Sequence, residues 1–121
     1  MIGDRRWRVR LTATAESDFR NILRWTAQRF GHAQARIYGE TLTRAIQALT
    51  DGPYVAGSRQ RDEIAEGLMT LHVGRAGRRG RHLVLYRIAG ASEPSTIDVL
   101  RLPHDSMDLV RHVGSVGDDS S

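Results

Sequence analysis

The sequence predicts a two-layer α+β domain in the order β-α-α-β-β-β-α. Three observations lead there. Two amphipathic helical stretches stand back to back with a single glycine between them. Three strand-like segments follow, joined by short polar links. A chain of 121 residues is long enough for one core and too short for two.

The elements can be justified in order. Arg6-Trp7-Arg8-Val9-Arg10-Leu11 alternates basic and apolar residues, the period of a half-buried strand. Thr12 and Thr14 follow as N-cap candidates, and Glu16 and Asp18 favour a helix N-terminus. Ala15, Phe19, Ile22, Leu23, Thr26, Ala27 and Phe30 then recur at the spacing of an amphipathic helix, which Gly31 should end. Ala35, Tyr38, Leu42, Ala45, Ile46 and Leu49 form the apolar stripe of a second helix, stopped by Asp51-Gly52-Pro53. So short a link at Gly31 implies an antiparallel helical hairpin. Gly39 inside the second helix costs about 1 kcal/mol relative to alanine; close packing against the first helix is one explanation for it.

Pro53 to Glu63 reads as a polar loop. Gly67–Val73, His82–Ile88 and Ser95–Leu102 are the three strand candidates. The glycine–arginine turn from Gly74 to Arg81 and the loop Gly90 to Pro94 are too short for parallel crossovers, so these strands should form an antiparallel meander. The helical hairpin should cover one face of the sheet. Pro103-His104-Asp105 is expected to open a short helix running to about Val113. The domain is therefore placed at 1–113, with 114–121 as a polar, glycine-bearing tail.

Composition narrows function. The chain has no cysteine, so disulfides and thiolate metal sites are excluded. Nothing at its start has the pattern of a signal peptide, and no apolar run approaches a membrane span, so the cytoplasm is the expected compartment. The net charge is +4, and all 18 basic residues are arginine. Guanidinium forks bind carboxylates and phosphates at two points, which suits an acidic protein or a nucleic acid as partner. No spacing suits a metal, no phosphate-loop motif is present, and no cofactor is expected.

Several short segments, in this order, resemble the RelE/ParE toxin superfamily over roughly residues 7 to 113, and within it the ParE branch. They are Val9-Arg10-Leu11-Thr12, Phe30-Gly31 closing the first helix, Ala45-Ile46 to Leu49 with Pro53, Gly57-Ser58-Arg59, Glu66-Gly67-Leu68, Leu85-Tyr86-Arg87-Ile88, and Ile97 to Leu102 followed by His104 and Met107-Asp108. The longer turn Arg75–Arg81 and Pro103 before His104 depart from the pattern. The resemblance implies the toxin of a type II toxin–antitoxin pair. It would be neutralised by an acidic ParD-like antitoxin and would act on DNA gyrase by binding. The alternative the superfamily offers is a RelE-type endoribonuclease that cuts mRNA on the ribosome.

Candidate sites follow. Trp25, Phe30, Tyr38 and Leu42 are candidates for antitoxin docking, since a domain this small cannot hide every large apolar group and aromatic anchors commonly serve partners. Arg75, Arg78, Arg79 and Arg81 could contact a target's phosphates, or simply solvate a hairpin tip; Arg101 and His104 join them as target-binding candidates. A ribonuclease would need a base and an acid beside cations, and His72, His82 and His104 could supply them if the fold brought them together. The catalytic branch resembles itself in lysines and a C-terminal tyrosine. This chain has no lysine and no tyrosine after Tyr86, so no catalytic residue is assigned.

Overall fold

A computed structural model describes residues 6–107 and 109. Its elements are β1 (Arg8–Leu11), α1 (Ala13–Phe30), α2 (His32–Ala48), a 3-10 turn (Leu49–Asp51), β2 (Arg59–Gln60), β3 (Met69–His72), β4 (Leu83–Ile88) and β5 (Thr96–Arg101). Thr12 is the N-cap of α1, accepting the Ala15 N–H at 3.1 Å. Gly31, at φ +95°, ends α1 and begins α2, and its N–H returns to the Ala27 carbonyl. Only glycine takes that backbone conformation without strain, so one residue suffices to reverse the chain.

The five strands lie in the order β1-β5-β4-β3-β2. The expected meander is present: β3 pairs β4 and β4 pairs β5, both antiparallel. β1 joins the far side parallel to β5, with Arg8 opposite Thr96 and Leu11 opposite Val99. The intervening helical hairpin is long enough to make that return. The segment expected as a plain loop contains β2, which pairs with Met69 and Thr70; two polar residues are too few to show a strand period.

Ala15, Leu42, Ala45 and Leu49 from the helices pack on Leu71, Val73, Val84, Tyr86, Ile97 and Val99 from the sheet. Consecutive residues of β3 and β4 are buried, Met69 to Leu71 and Leu83 to Tyr86, so these strands are covered on both faces rather than one. The Tyr86 phenol donates to the Pro53 carbonyl at 2.6 Å, and its burial pushes its pKa up to about 12. Residues 103–107 form an isolated bridge at His104 and a turn, so the expected short helix does not open at Pro103; Leu109 is helical, and the other residues of that helix and the tail lie outside the described residues.

Gly39 does sit at a close helix approach: a Cβ there would meet Leu23 Cδ1 at 3.4 Å. That is ordinary contact, so helix propensity should decide the sign. Gly39→Ala is expected to stabilise the chain by about 0.5–1 kcal/mol, read as a higher urea midpoint at unchanged slope.

Candidate functional site

Two places carry the residues singled out by the sequence. The first is the helical hairpin. Phe19 and Leu23 of α1, with Ala35 and Gly39 of α2, floor an open groove of about 540 Å³, and Arg36, Glu40, Arg44 and Gln47 edge it. Gly39, having no side chain, leaves that floor open. Towards the hairpin tip, Trp25 is 53% exposed and Phe30 63% exposed. Their rings meet edge to face at 6.0 Å, and the Arg29 guanidinium lies 5.2 Å from the Trp25 ring. Phe30, expected on the inward stripe of α1, faces solvent instead, packed on Trp25. Large aromatics left exposed and stacked on one another are pre-ordered contact surface.

The other two docking candidates differ. Leu42 is 0% exposed at the centre of the core and offers a partner nothing. Tyr38 packs partly into the core, and its hydroxyl is engaged within the chain.

That hydroxyl leads to the second place, where the fold does bring His72, His82 and His104 together. The Arg81 N–H donates to Tyr38 Oη at 3.0 Å, and Tyr38 Oη and His82 Nδ1 share a hydrogen bond at 2.7 Å. The Gly74 N–H donates to His72 Nδ1 at 2.9 Å, leaving the His72 Nε2–H to meet Asp105 Oδ2 at 3.0 Å. Arg81 Nε donates to both oxygens of Asp105 at 3.2 Å. The rings of His82 and His104 meet edge to face at 5.2 Å. Two backbone bonds, Leu83 N–H to Pro103 O at 2.9 Å and Asp105 N–H to Arg81 O at 2.7 Å, tie the same segments. Gly80 is required here, since a Cβ would collide with Val73 Cγ2 and crowd the Tyr38 hydroxyl at 3.1 Å.

The electrostatics hold the cluster together as a staple. Arg81 first, then His72, holds the Asp105 carboxyl down at about 2. Burial, then the neighbouring His104, holds His82 down at about 4, so it is neutral at pH 7. Burial raises the Tyr38 phenol. Phosphodiester cleavage needs a cation and a base that titrates near neutrality; Arg81 is paired with Asp105 and His82 is held at about 4, so these two groups serve the fold. The cluster pins the end of β5 to the β3–β4 hairpin. Its signature should be a pH dependence. His82 binds its proton only below about 4 when folded and near 6.5 when unfolded. Between those values the unfolded chain holds more protons, so stability falls as pH drops from about 6.5 to 4, by about 2–3 kcal/mol, and is flat above. Urea midpoints from pH 8 to 4 should show this slope, and His82→Gln should flatten it.

Four of the five arginines named as target-binding candidates, Arg75, Arg78, Arg81 and Arg101, are employed within the chain. Arg75 donates to the Ala56 carbonyl at 3.2 Å, and Arg78 to Thr41 Oγ1 at 3.1 Å with Glu40 at 3.8 Å. Their turn is tight: Ala76 and Gly77 both have positive φ, and the Arg78 N–H closes on the Arg75 carbonyl at 3.0 Å. Arg79 is exposed and makes no ion pair among the described residues. Arg101 binds Asp18 through Nε at 2.9 Å and Nη2 at 3.2 Å, and Asp18 also accepts the Leu102 N–H at 3.0 Å. Asp18, read from the sequence as helix-terminal charge, is thus a helix-to-sheet clamp; no local signal marks its partner 83 residues away.

The architecture is thus a helical hairpin on a sheet whose first strand pairs parallel with the last. The chain superposes on a chain of the chromosomal ParDE system from P. aeruginosa with a TM-score of 0.66 at 17% identity, covering 84% of this chain and 98% of that one. On a chain of the RelBE2 toxin–antitoxin complex from Mycobacterium tuberculosis the TM-score is 0.52 at 27% identity, covering 82% and 98%. In sequence, residues 9–109 match the family described as ParE toxin of type II toxin-antitoxin system, parDE. Toxin ParE1 of Mycobacterium tuberculosis is 32% identical over 106 residues, 88% of this chain and 97% of the relative. Toxin ParE of Escherichia coli is 32% identical over 102 residues, 83% of this chain and 86% of the relative. The chain belongs to the ParE toxin family, the ParE branch of the RelE/ParE superfamily. No helix among the described residues is long and apolar enough to cross a membrane.

Proposed function

We propose that this chain is a toxin neutralised by an acidic ParD-like antitoxin, which docks on the helical hairpin, and that the released toxin acts in the cytoplasm by binding DNA gyrase. The observation that carries the antitoxin half is the groove between α1 and α2. Its floor is apolar, and two arginines, Arg36 and Arg44, stand at its rim against one carboxylate, Glu40. An amphipathic helix with an acidic flank fits such a groove, its apolar anchors on Phe19 and Leu23 and its carboxylates on the guanidinium forks. Trp25 and Phe30 extend the contact surface beyond the groove. Structures of relatives described as a ParDE system and a RelBE2 toxin–antitoxin complex support a partner of this kind.

The gyrase half rests on membership of the family. The committed state of Arg81, His82 and Asp105 supports binding over RNA cleavage as the mode of action. Two experiments test the reading. Co-expression with a short acidic protein encoded beside the toxin should give a complex that co-elutes in gel filtration; a free toxin peak would remove the antitoxin claim. Incubating the pure chain with gyrase and supercoiled plasmid should lower supercoiling and accumulate cleaved DNA; unchanged supercoiling with no cleaved complex would remove the gyrase claim.

A further inference from the structure

On the sheet face turned away from the helices, β1 presents arginines at alternate positions. Val9 and Leu11 pack towards the core, so Arg8 and Arg10 point the other way. The parallel register sets Arg10 beside Asp98 and Arg8 beside Thr96. Arg10 takes both carboxylates in reach. Its Nε donates to Asp98 Oδ1 at 2.8 Å, its Nη2 to Glu93 Oε1 at 3.0 Å, and its Nη1 to Glu93 Oε2. One step along the ladder the acid runs out. Arg8 faces Thr96, whose hydroxyl is already donated to the Pro94 carbonyl at 3.2 Å. Among the described residues neither Arg6 nor Arg8 makes an ion pair.

Arg6 and Arg8 line a cleft of about 430 Å³ whose other wall is Ser92 to Thr96; the one carboxylate in that wall, Glu93, is bound to Arg10. The loop is held in shape. Ser95 sits at φ +53°, and its carbonyl accepts the Arg8 N–H at 2.8 Å. A non-glycine residue keeps that backbone only when its surroundings impose it, so the two walls are tied together at Arg8 and Ser95. Arg87, in register with the already neutralised Asp98, adds a further exposed cation on the same face.

We propose that this cleft binds a phosphate group, with Arg6 and Arg8 as its cations and the Ser92 and Ser95 hydroxyls as neutral donors. Two guanidinium forks and two hydroxyls present more donors than a carboxylate has oxygens to meet, whereas a phosphate offers a tetrahedral set. The phosphate can be free or part of a nucleic-acid backbone. The site lies across the sheet from the helical groove and stands independently of antitoxin docking there.

The test uses the full chain labelled with ¹⁵N, observing the arginine Nε–H resonances. Inorganic phosphate should shift the Arg6 and Arg8 signals to saturation while Arg10, held by its carboxylates, stays in place. A fluorescent single-stranded 12-nucleotide probe at low salt should move the same signals if the source is a backbone, and should bind no better than inorganic phosphate if it is free phosphate. In the backbone case, Arg8→Ala should weaken the probe about tenfold, and removing both arginines should lower the slope of log affinity against log salt by about 1.4. Arg8→Gln, which keeps the aliphatic stem, should lose the same amount with an unchanged thermal melt. Arg6 and Arg8 signals unmoved by both ligands would overturn the proposal. So would shifts of equal size from a glutamate-rich peptide, or shifts confined to Arg75, Arg78 and Arg79.

Discussion

Trp25→Ala should weaken antitoxin binding by about 30-fold or more while leaving the toxin's own stability nearly unchanged. Truncating an aromatic anchor at an interface commonly costs about 2 kcal/mol or more, and every 1.4 kcal/mol is about tenfold in affinity. The free chain has little to lose there. Trp25 is 53% exposed, and its partners, Phe30 and Arg29, lie on the same helix. A surface substitution of that kind stays within about 0.5 kcal/mol. Calorimetric titration of the antitoxin's C-terminal peptide, beside a thermal melt of the free toxin, separates the two quantities. Unchanged affinity would move the docking surface off the hairpin tip, leaving the groove at Phe19 and Leu23 to be probed by Leu23→Glu.

Leu42→Ala should do the reverse. Leu42 is 0% exposed and packed among the residues that join α2 to the sheet. Emptying such a site costs about 2–5 kcal/mol, the transfer of the lost methyl groups plus the cavity that cannot fully close. For a domain of this size that is a fall of roughly 10–20 °C in Tm. At a temperature where the variant is still folded, its affinity for the antitoxin should match the parent's. A variant that melts normally and binds poorly would put Leu42 at the interface after all, contrary to its burial. Both residues are large and apolar, and from the sequence they were candidates for one role. What divides them is whether the sheet lies beneath.

The same division runs through the chain. Thr12 and Gly31 mark the ends of α1 in the sequence because capping and helix reversal are decided within a few residues, and both act as read. The three strand segments and their antiparallel order were legible for the same reason: runs of β-forming residues and short links are local facts. The Asp105–His72–Arg81 staple was not legible. His72, His82 and His104 were visible as residues, but their convergence depends on the bridge between His82 and His104 and on the passage of Gly80 past Val73 and Tyr38. The arginines divide in the same way. Arg101 is claimed by Asp18, Arg10 by Glu93 and Asp98, and Arg81 by Asp105, each from a distant segment.

By itself, then, the sequence determined where the helices and main strands lie, that they make one α+β domain, and that the charge would be carried by guanidinium groups. Only the tertiary structure decided that β1 closes the sheet parallel to β5, that Phe30 is outside and Leu42 inside, and which arginines remain available to a ligand. Periodicity and capping are settled by neighbours along the chain, whereas ion pairs, strand partners and burial are settled by whichever remote segment packs alongside.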